Sequence, residues 1–212
     1  MVFSLAACGN KNSGTTSKED TIKQKNPKTV TIKSFNANNE ETDLEVPYDA
    51  QRIAVMDMAA LDILDSLGLG DRVVGSSSTS LDYLQEYVTN DEIVDLGTIK
   101  EADMEAVMSC EPDVIFIGGR LAQSYDALSE IAPVVYLSTD TEIGPVKSVE
   151  KNAKTIASMF GVEDDVKDLM DGYDARIEKL KALPKAKVTI NRNVYKWRIQ
   201  CSRKRWTLRF DR

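Results

Sequence analysis

The sequence predicts an α/β fold in which a parallel sheet is flanked by helices and followed by long helical stretches. Three observations predict it. Strand-like and helix-like segments alternate through residues 52–137, the order that builds a parallel sheet covered on both faces. The run Val114-Ile115-Phe116-Ile117 is short, continuous, β-branched and aromatic, as expected of a strand buried on both sides. Beyond Pro133 and its strand, two long amphipathic patterns, 144–160 and 162–183, are separated by Gly161.

Taken in order, the chain opens on Leu5-Ala6-Ala7-Cys8-Gly9, which resembles the lipobox of bacterial lipoproteins, where the cysteine becomes the lipidated N-terminus. The stretch ahead of it holds no basic residue and is too short for a secretory signal, which needs a charged start and an apolar stretch of roughly 7–15 residues. The front of the chain is therefore expected to be misplaced or missing. Residues 9–26 are polar, with almost nothing to bury, a composition that stays disordered.

Residues 29–35 alternate, 36–41 read as a turn, and 42–46 alternate again, which predicts a β-hairpin. Residues 52–56 form a buried strand. Residues 59–67 form a helix with Ala60, Ile63, Leu64 and Leu67 on one face, and Gly68 as its C-terminal cap. A strand at 72–74, a small polar turn at 75–80 and a helix at 81–88 follow. Gly68 and Gly70 do not make a dinucleotide fingerprint, because they follow a helix instead of opening one.

The stretch 95–120 organises the rest. Residues 102–108 predict a short amphipathic helix that Pro112 stops, since proline lacks the N–H a helix interior needs. The buried strand 114–117 ends at Gly118-Gly119. Ligands of open α/β sheets sit beyond the carboxyl ends of strands, and Arg120, a fixed cation with a planar donor fork, stands there. A helix at 125–131 and a strand at 134–137 complete the sheet. In the two long helices, Val149, Ala153, Ile156, Ala157 and Phe160 make one apolar stripe, and Leu169, Tyr173, Ile177 and Leu180 make the next.

Composition removes several function classes. The chain has no histidine, so it lacks the commonest general base and zinc ligand. Cys8, Cys110 and Cys201 show neither metal spacing nor a disulfide framework, and Cys110 reads as a small buried hydrophobe. An enzyme built on Asp57 or Cys110 finds no partner group in the sequence. No internal run is long and apolar enough for a membrane-spanning helix.

The hairpin, the strand ending Met56-Asp57, D-L-G-T at 95–98, E-P-D-V-I-F-I-G-G-R at 111–120 and A-P-V-V-Y at 132–136 together resemble the ferric-siderophore-binding lipoproteins of bacterial ABC importers. The resemblance runs from about residue 5 to 187. It implies a two-lobed binding protein whose lobes are joined by a long helix. Residues 1–8 would be a shortened lipoprotein signal, 9–27 a disordered tether, 28–143 the N-terminal lobe and 144–183 the long inter-lobe helical backbone. It implies no enzyme activity, no cofactor and no bound structural metal. The cargo would be a ferric siderophore complex, passed to ABC permease subunits by a monomer that is extracytoplasmic, lipid-anchored through Cys8 and without a nucleic-acid partner. Arg120 matches the family's pocket arginine in the first lobe. Asp57, Met58, Ser77 and Thr98 lie on the other strand-end turns and are the remaining ligand-binding candidates. Haem or cobalamin is the alternative cargo within the same class.

The resemblance stops after residue 187. The family's second lobe is absent, and 184–212 is a basic tail outside the resemblance. Residues 185–212 hold ten of the 27 Lys and Arg but one of the 34 Asp and Glu, so this stretch is net positive by nine and the remainder net negative by sixteen. A nucleic-acid-binding tail is the reading of a different class. A shifted reading frame is preferred. Tryptophan's one codon, TGG, begins with GG when read one base later, so Trp197 and Trp206 become glycines, and allowed codons elsewhere give N-G-x-F-N and G-N-D-G-R, like the family's second-lobe opening. The expectation is a truncated, impaired binding protein whose residues 188–212 do not fold and whose first long helix loses part of its apolar cover.

Overall fold

The computed structural model describes residues 28–182, 198–202 and 205–209. The chain divides into two compact units, residues 1–167 and 168–212.

The first elements are an antiparallel hairpin. β1 (Thr29–Phe35) pairs with β2 (Glu41–Pro47), from Thr29 opposite Pro47 to Phe35 opposite Glu41. Asn36 fixes the turn by accepting from the N–H groups of Asn38 and Glu40. The alternation seen in the sequence puts Ile32, Ser34 and Val46 in the interior.

The alternating region follows as β3 (Ile53–Met56), α1 (Met58–Ser66), β4 (Val73–Ser76), α2 (Glu86–Thr89), β5 (Val94–Asp95), a small ribbon of β6 (Gly97–Thr98) and β7 (Glu101–Ala102), α3 (Met104–Ser109), β8 (Val114–Ile117), α4 (Tyr125–Ser129) and β9 (Val134–Tyr136). Five of these strands form a parallel sheet in the order β5-β4-β3-β8-β9. The chain starts in the middle at β3, winds outward to β5, then returns to the other side of β3 as β8. The strand order therefore reverses between β3 and β8, whose register runs from Ile53 opposite Val114 to Met56 opposite Ile117. Both strands are buried along their whole length. Each fully buried large apolar side chain contributes roughly 1.5–3 kcal/mol, so these two strands are the centre of the core.

Helix ends obey local chemistry. Asp57 caps α1 and Asp103 caps α3 by accepting from the N–H groups of the first turn. Gly68, just past α1, takes φ +70°, and Gly161, which ends α5 (Pro145–Phe160), takes φ +69°. That left-handed conformation favours glycine. The structure thus confirms both predicted stops. α6 (Glu163–Ala182) is largely solvated, with Val166 its one buried residue among those described.

Several expectations are corrected. Gly75 and Ser76 belong to β4, where they pair with Val94 and Asp95, and are not part of the turn. The helix expected at 81–88 splits into a 3-10 turn, Asp82–Leu84, and α2, and no side chain caps either piece. α3 starts at Met104, because Ala102 pairs with Gly97 in the ribbon; it ends as expected ahead of Pro112, which follows the C-cap Cys110 by two residues, with Glu111 between them at φ 45°. Met108 and Leu180, placed on apolar stripes, are exposed. α5 keeps most of its cover, because the helix packs on β1 and α1: Ala153, Ile156, Ala157, Met159 and Phe160 are buried, while Val149 of the expected stripe is half-buried and Val146 exposed. Of residues 188–212, expected not to fold, the described ones, 198–202 and 205–209, are strands. β10 (Arg198–Ser202) pairs antiparallel with β11 (Arg205–Arg209), Ile199 opposite Leu208 and Cys201 opposite Trp206. Within each strand the apolar residues, Ile199 with Cys201 and Trp206 with Leu208, stand two positions apart, the spacing of a strand, which a reading based on net charge alone overlooks.

Candidate ligand-binding cleft

The reversal of strand order opens a crevice at the carboxyl ends of β3 and β8, the place where open α/β sheets bind ligands. A cleft of about 360 Å³ lies there. Its walls come from the cap and first residues of α1 after β3 (Asp57, Met58, Ala59), the turn after β8 (Gly118, Gly119, Arg120), the turn after β9 (Leu137, Ser138, Thr139), Ile99 between β6 and β7, and Asn152 of α5.

Each group is positioned by its element. Asp57 leaves β3 in extended backbone and turns its carboxylate onto α1, where Oδ1 accepts from the Ala59 N–H at 3.0 Å. Burial raises its carboxyl above the ordinary carboxylate range, and the bond from Ala59 offsets this only in part. Gly118 and Gly119 are not in the left-handed region, so conformational freedom does not explain them. At Gly119 close approach does: a Cβ there would lie 2.8 Å from Tyr136 Oη, whereas one on Gly118 would meet Asp57 Cγ at 3.4 Å, an ordinary contact. The Tyr136 phenol donates to Asn39 Oδ1 at 2.8 Å, and burial, then the Asp57 charge, raises its pKa.

Arg120 follows in the 3-10 turn Gly119–Ser124. It is exposed and has no hydrogen bond or ion pair with any described residue. A second cavity of about 330 Å³ shares Leu137, Ser138, Thr139 and Asn152 with the cleft and carries Lys33 and Lys151. These cations are held by carboxylates, Lys33 by Asp43 at 2.7 Å and Lys151 by Glu41 at 2.6 Å. Among the described residues lining the two cavities, Arg120 is thus the cation left without a counter-charge.

The structure brings together three of the sequence candidates, Asp57, Met58 and Arg120. Thr98 does not line the cleft; its hydroxyl accepts from the N–H groups of Lys100 and Glu101 and serves the ribbon turn, while its neighbour Ile99 faces the cleft. Ser77 is fully buried with no hydrogen-bond partner for its hydroxyl among the described residues, and does not line the cleft either. Cys8 lies outside the described residues. Sequence reasoning missed the turn after β9 and Asn152. The strand-end rule applied to β9 finds the first. Asn152, whose amide donates to the Ser138 carbonyl at 3.3 Å, needs the docking of α5, which no local signal supplies. Cys110 is buried, with its thiol raised by desolvation, as expected of a packing residue.

Comparison with known proteins adds to the geometry. A family model described as periplasmic binding protein matches residues 53–192. The chain is 35% identical over 178 residues to the petrobactin-binding protein YclQ of Bacillus subtilis, covering 84% of this chain and 53% of that protein. It is 26% identical over 137 residues to the ferric-anguibactin-binding protein FatB of Vibrio anguillarum, covering 63% of this chain and 42% of that protein. The crystal structure of YclQ matches with a TM-score of 0.65 at 33% identity, covering 73% of this chain and 53% of that one. That of the periplasmic catecholate-siderophore binding protein VctP from Vibrio cholerae matches with a TM-score of 0.61 at 28% identity, covering 71% and 52%. The chain spans about half the length of the curated relatives it matches.

Proposed function

The chain belongs to the periplasmic binding protein family, whose members are substrate-binding proteins and not enzymes, and from that membership we propose that its cleft takes a ferric siderophore on the way to an ABC importer. The protein then works outside the cytoplasmic membrane, tethered through a lipid on Cys8, and presents its cargo to permease subunits.

The observation that carries this reading is the unpaired Arg120 at the carboxyl end of the sheet, beside the point where strand order reverses. An anionic catecholate or carboxylate complex of ferric iron needs a cation that stays charged and donates in a plane, and arginine supplies both. No covalent step is required: the protein holds the complex and releases it. Relatives described as binding petrobactin and ferric anguibactin support the iron-chelate class.

The test is a titration of the full chain with a ferric catecholate complex, read by quenching of intrinsic fluorescence. Saturable quenching that weakens in the Arg120→Ala variant supports the reading. Quenching by haem or cobalamin with no response to the ferric complex transfers it to the alternative cargo. Binding of nucleic acid that is lost on deleting residues 188–212, with no response to any of these ligands, replaces it.

A further inference from the structure

The cleft is not uniformly cationic. Asp57 lines it together with Arg120, and the two do not form an ion pair. Of the Asp57 carboxylate, Oδ1 is occupied by the Ala59 N–H, and Oδ2 has no partner among the described residues. Asparagine or serine caps a helix as well; aspartate adds a charge, which the N-terminus of α1 favours and burial disfavours, and which stands in the cleft.

Resting on the siderophore reading, we propose that the free carboxylate oxygen of Asp57 makes the cleft selective for ferric chelates that carry a protonated amine or other hydrogen-bond donor beside the anionic iron centre. A chelate that is anionic all round meets Arg120 favourably and Asp57 unfavourably, in surroundings where water screens less than in bulk. A donor-bearing chelate meets both favourably. The repulsive element is what discriminates, since selectivity is a difference between two affinities. Gly118 lets the ligand reach the site, because it adds no side chain above Asp57 Cγ.

A matched pair of probes tests this: the ferric complex of a bis-catecholate with a secondary amine in its linker, and the same chelator acetylated at that amine. The iron centre is unchanged, while the cation and its N–H are gone. Dissociation constants are measured by fluorescence quenching for the full chain and for its Asp57→Asn and Asp57→Ser variants, both of which keep a capping oxygen. The parent is expected to prefer the amine probe by about tenfold, the size of one charge-assisted hydrogen bond. In both variants that preference is expected to fall within about twofold, the noise of such cycles. Equal binding of the two probes by the parent, or a preference that survives in both variants, overturns the proposal and leaves Asp57 a helix cap. The siderophore reading then still stands if Arg120→Ala weakens both probes. Failure of both probes to bind the parent overturns the two together.

Discussion

The backbone N–H of Tyr136 donates to Ser34 Oγ at 2.9 Å, across 102 residues of chain. β9 is an edge strand of the parallel sheet, so this N–H has no ladder partner on its outer side, and the hairpin supplies one. The contact is completed by the Phe35 and Tyr136 rings, whose centroids lie 5.5 Å apart. The hairpin thus closes the sheet next to the turn that forms one wall of the cleft.

Ser34→Ala removes that acceptor and leaves the donor buried, since Ser34 is 1% and Tyr136 5% exposed. The expected loss of stability is about 1–3 kcal/mol, the cost of an unmade buried hydrogen bond. Urea unfolding measures it, with an unchanged slope showing that the denatured state is the same. A loss below about 0.5 kcal/mol, the level of an ordinary surface change, would mean that another acceptor reaches the N–H.

The two glycines after β8 should respond differently to alanine. At Gly119 the new methyl would lie 2.8 Å from Tyr136 Oη, and the ring cannot withdraw without disturbing its bond to Asn39. Overpacking of this kind costs about 1–3 kcal/mol. At Gly118 the methyl meets Asp57 Cγ at 3.4 Å, an ordinary contact, in a backbone conformation open to alanine. Loss of freedom in the unfolded chain then favours Gly118→Ala by about 0.4–1 kcal/mol. Thermal melts of the two variants should therefore move in opposite directions.

How much of this was legible in the sequence depends on the range of the signal. Periodicity and breakers are local, so the hairpin, β3, α1, β8 and the stops at Gly68 and Gly161 could be read directly. The strand-end rule needs only strand boundaries, and it brought Asp57, Met58 and Arg120 to the cleft. It also selected Ser77 and Thr98, because a strand end tells nothing about which way a short side chain points. One is buried and the other is engaged in a ribbon turn. Asn152 was invisible because its place depends on how α5 packs against β1 and α1, a long-range choice without a local marker.

Arg120 should matter for binding and hardly at all for folding. It is exposed and unpaired among the described residues, so Arg120→Ala is expected to change stability by less than about 0.5 kcal/mol. Its loss should weaken a ferric catecholate complex by about tenfold or more, as expected for a charge-assisted contact. Arg120→Lys keeps the charge but loses the planar fork, so it should fall between the parent and alanine. Equal affinity of all three in a fluorescence titration would place the chelate elsewhere.

Asp57 links the cleft to pH. Burial raises its pKa in the folded chain above the ordinary value of 3.8, so the folded state holds the proton more tightly than the unfolded state does. The stabilisation tied to that proton is complete below 3.8 and is lost as pH rises through the folded value. Near neutrality the ionised carboxylate therefore opposes folding. Asp57→Asn keeps an oxygen for the Ala59 N–H and removes the charge. It should melt at a higher temperature than the parent at pH 7, and the gap should close as the pH falls toward 3.8. The raised pKa of Asp62, also caused first by burial, is common to both proteins and cancels in the difference. A variant less stable than the parent at pH 7, with a gap that narrows in acid, would show that the carboxylate's attraction to the N-terminus of α1 outweighs its desolvation, and that the charge is kept for the helix instead of the ligand.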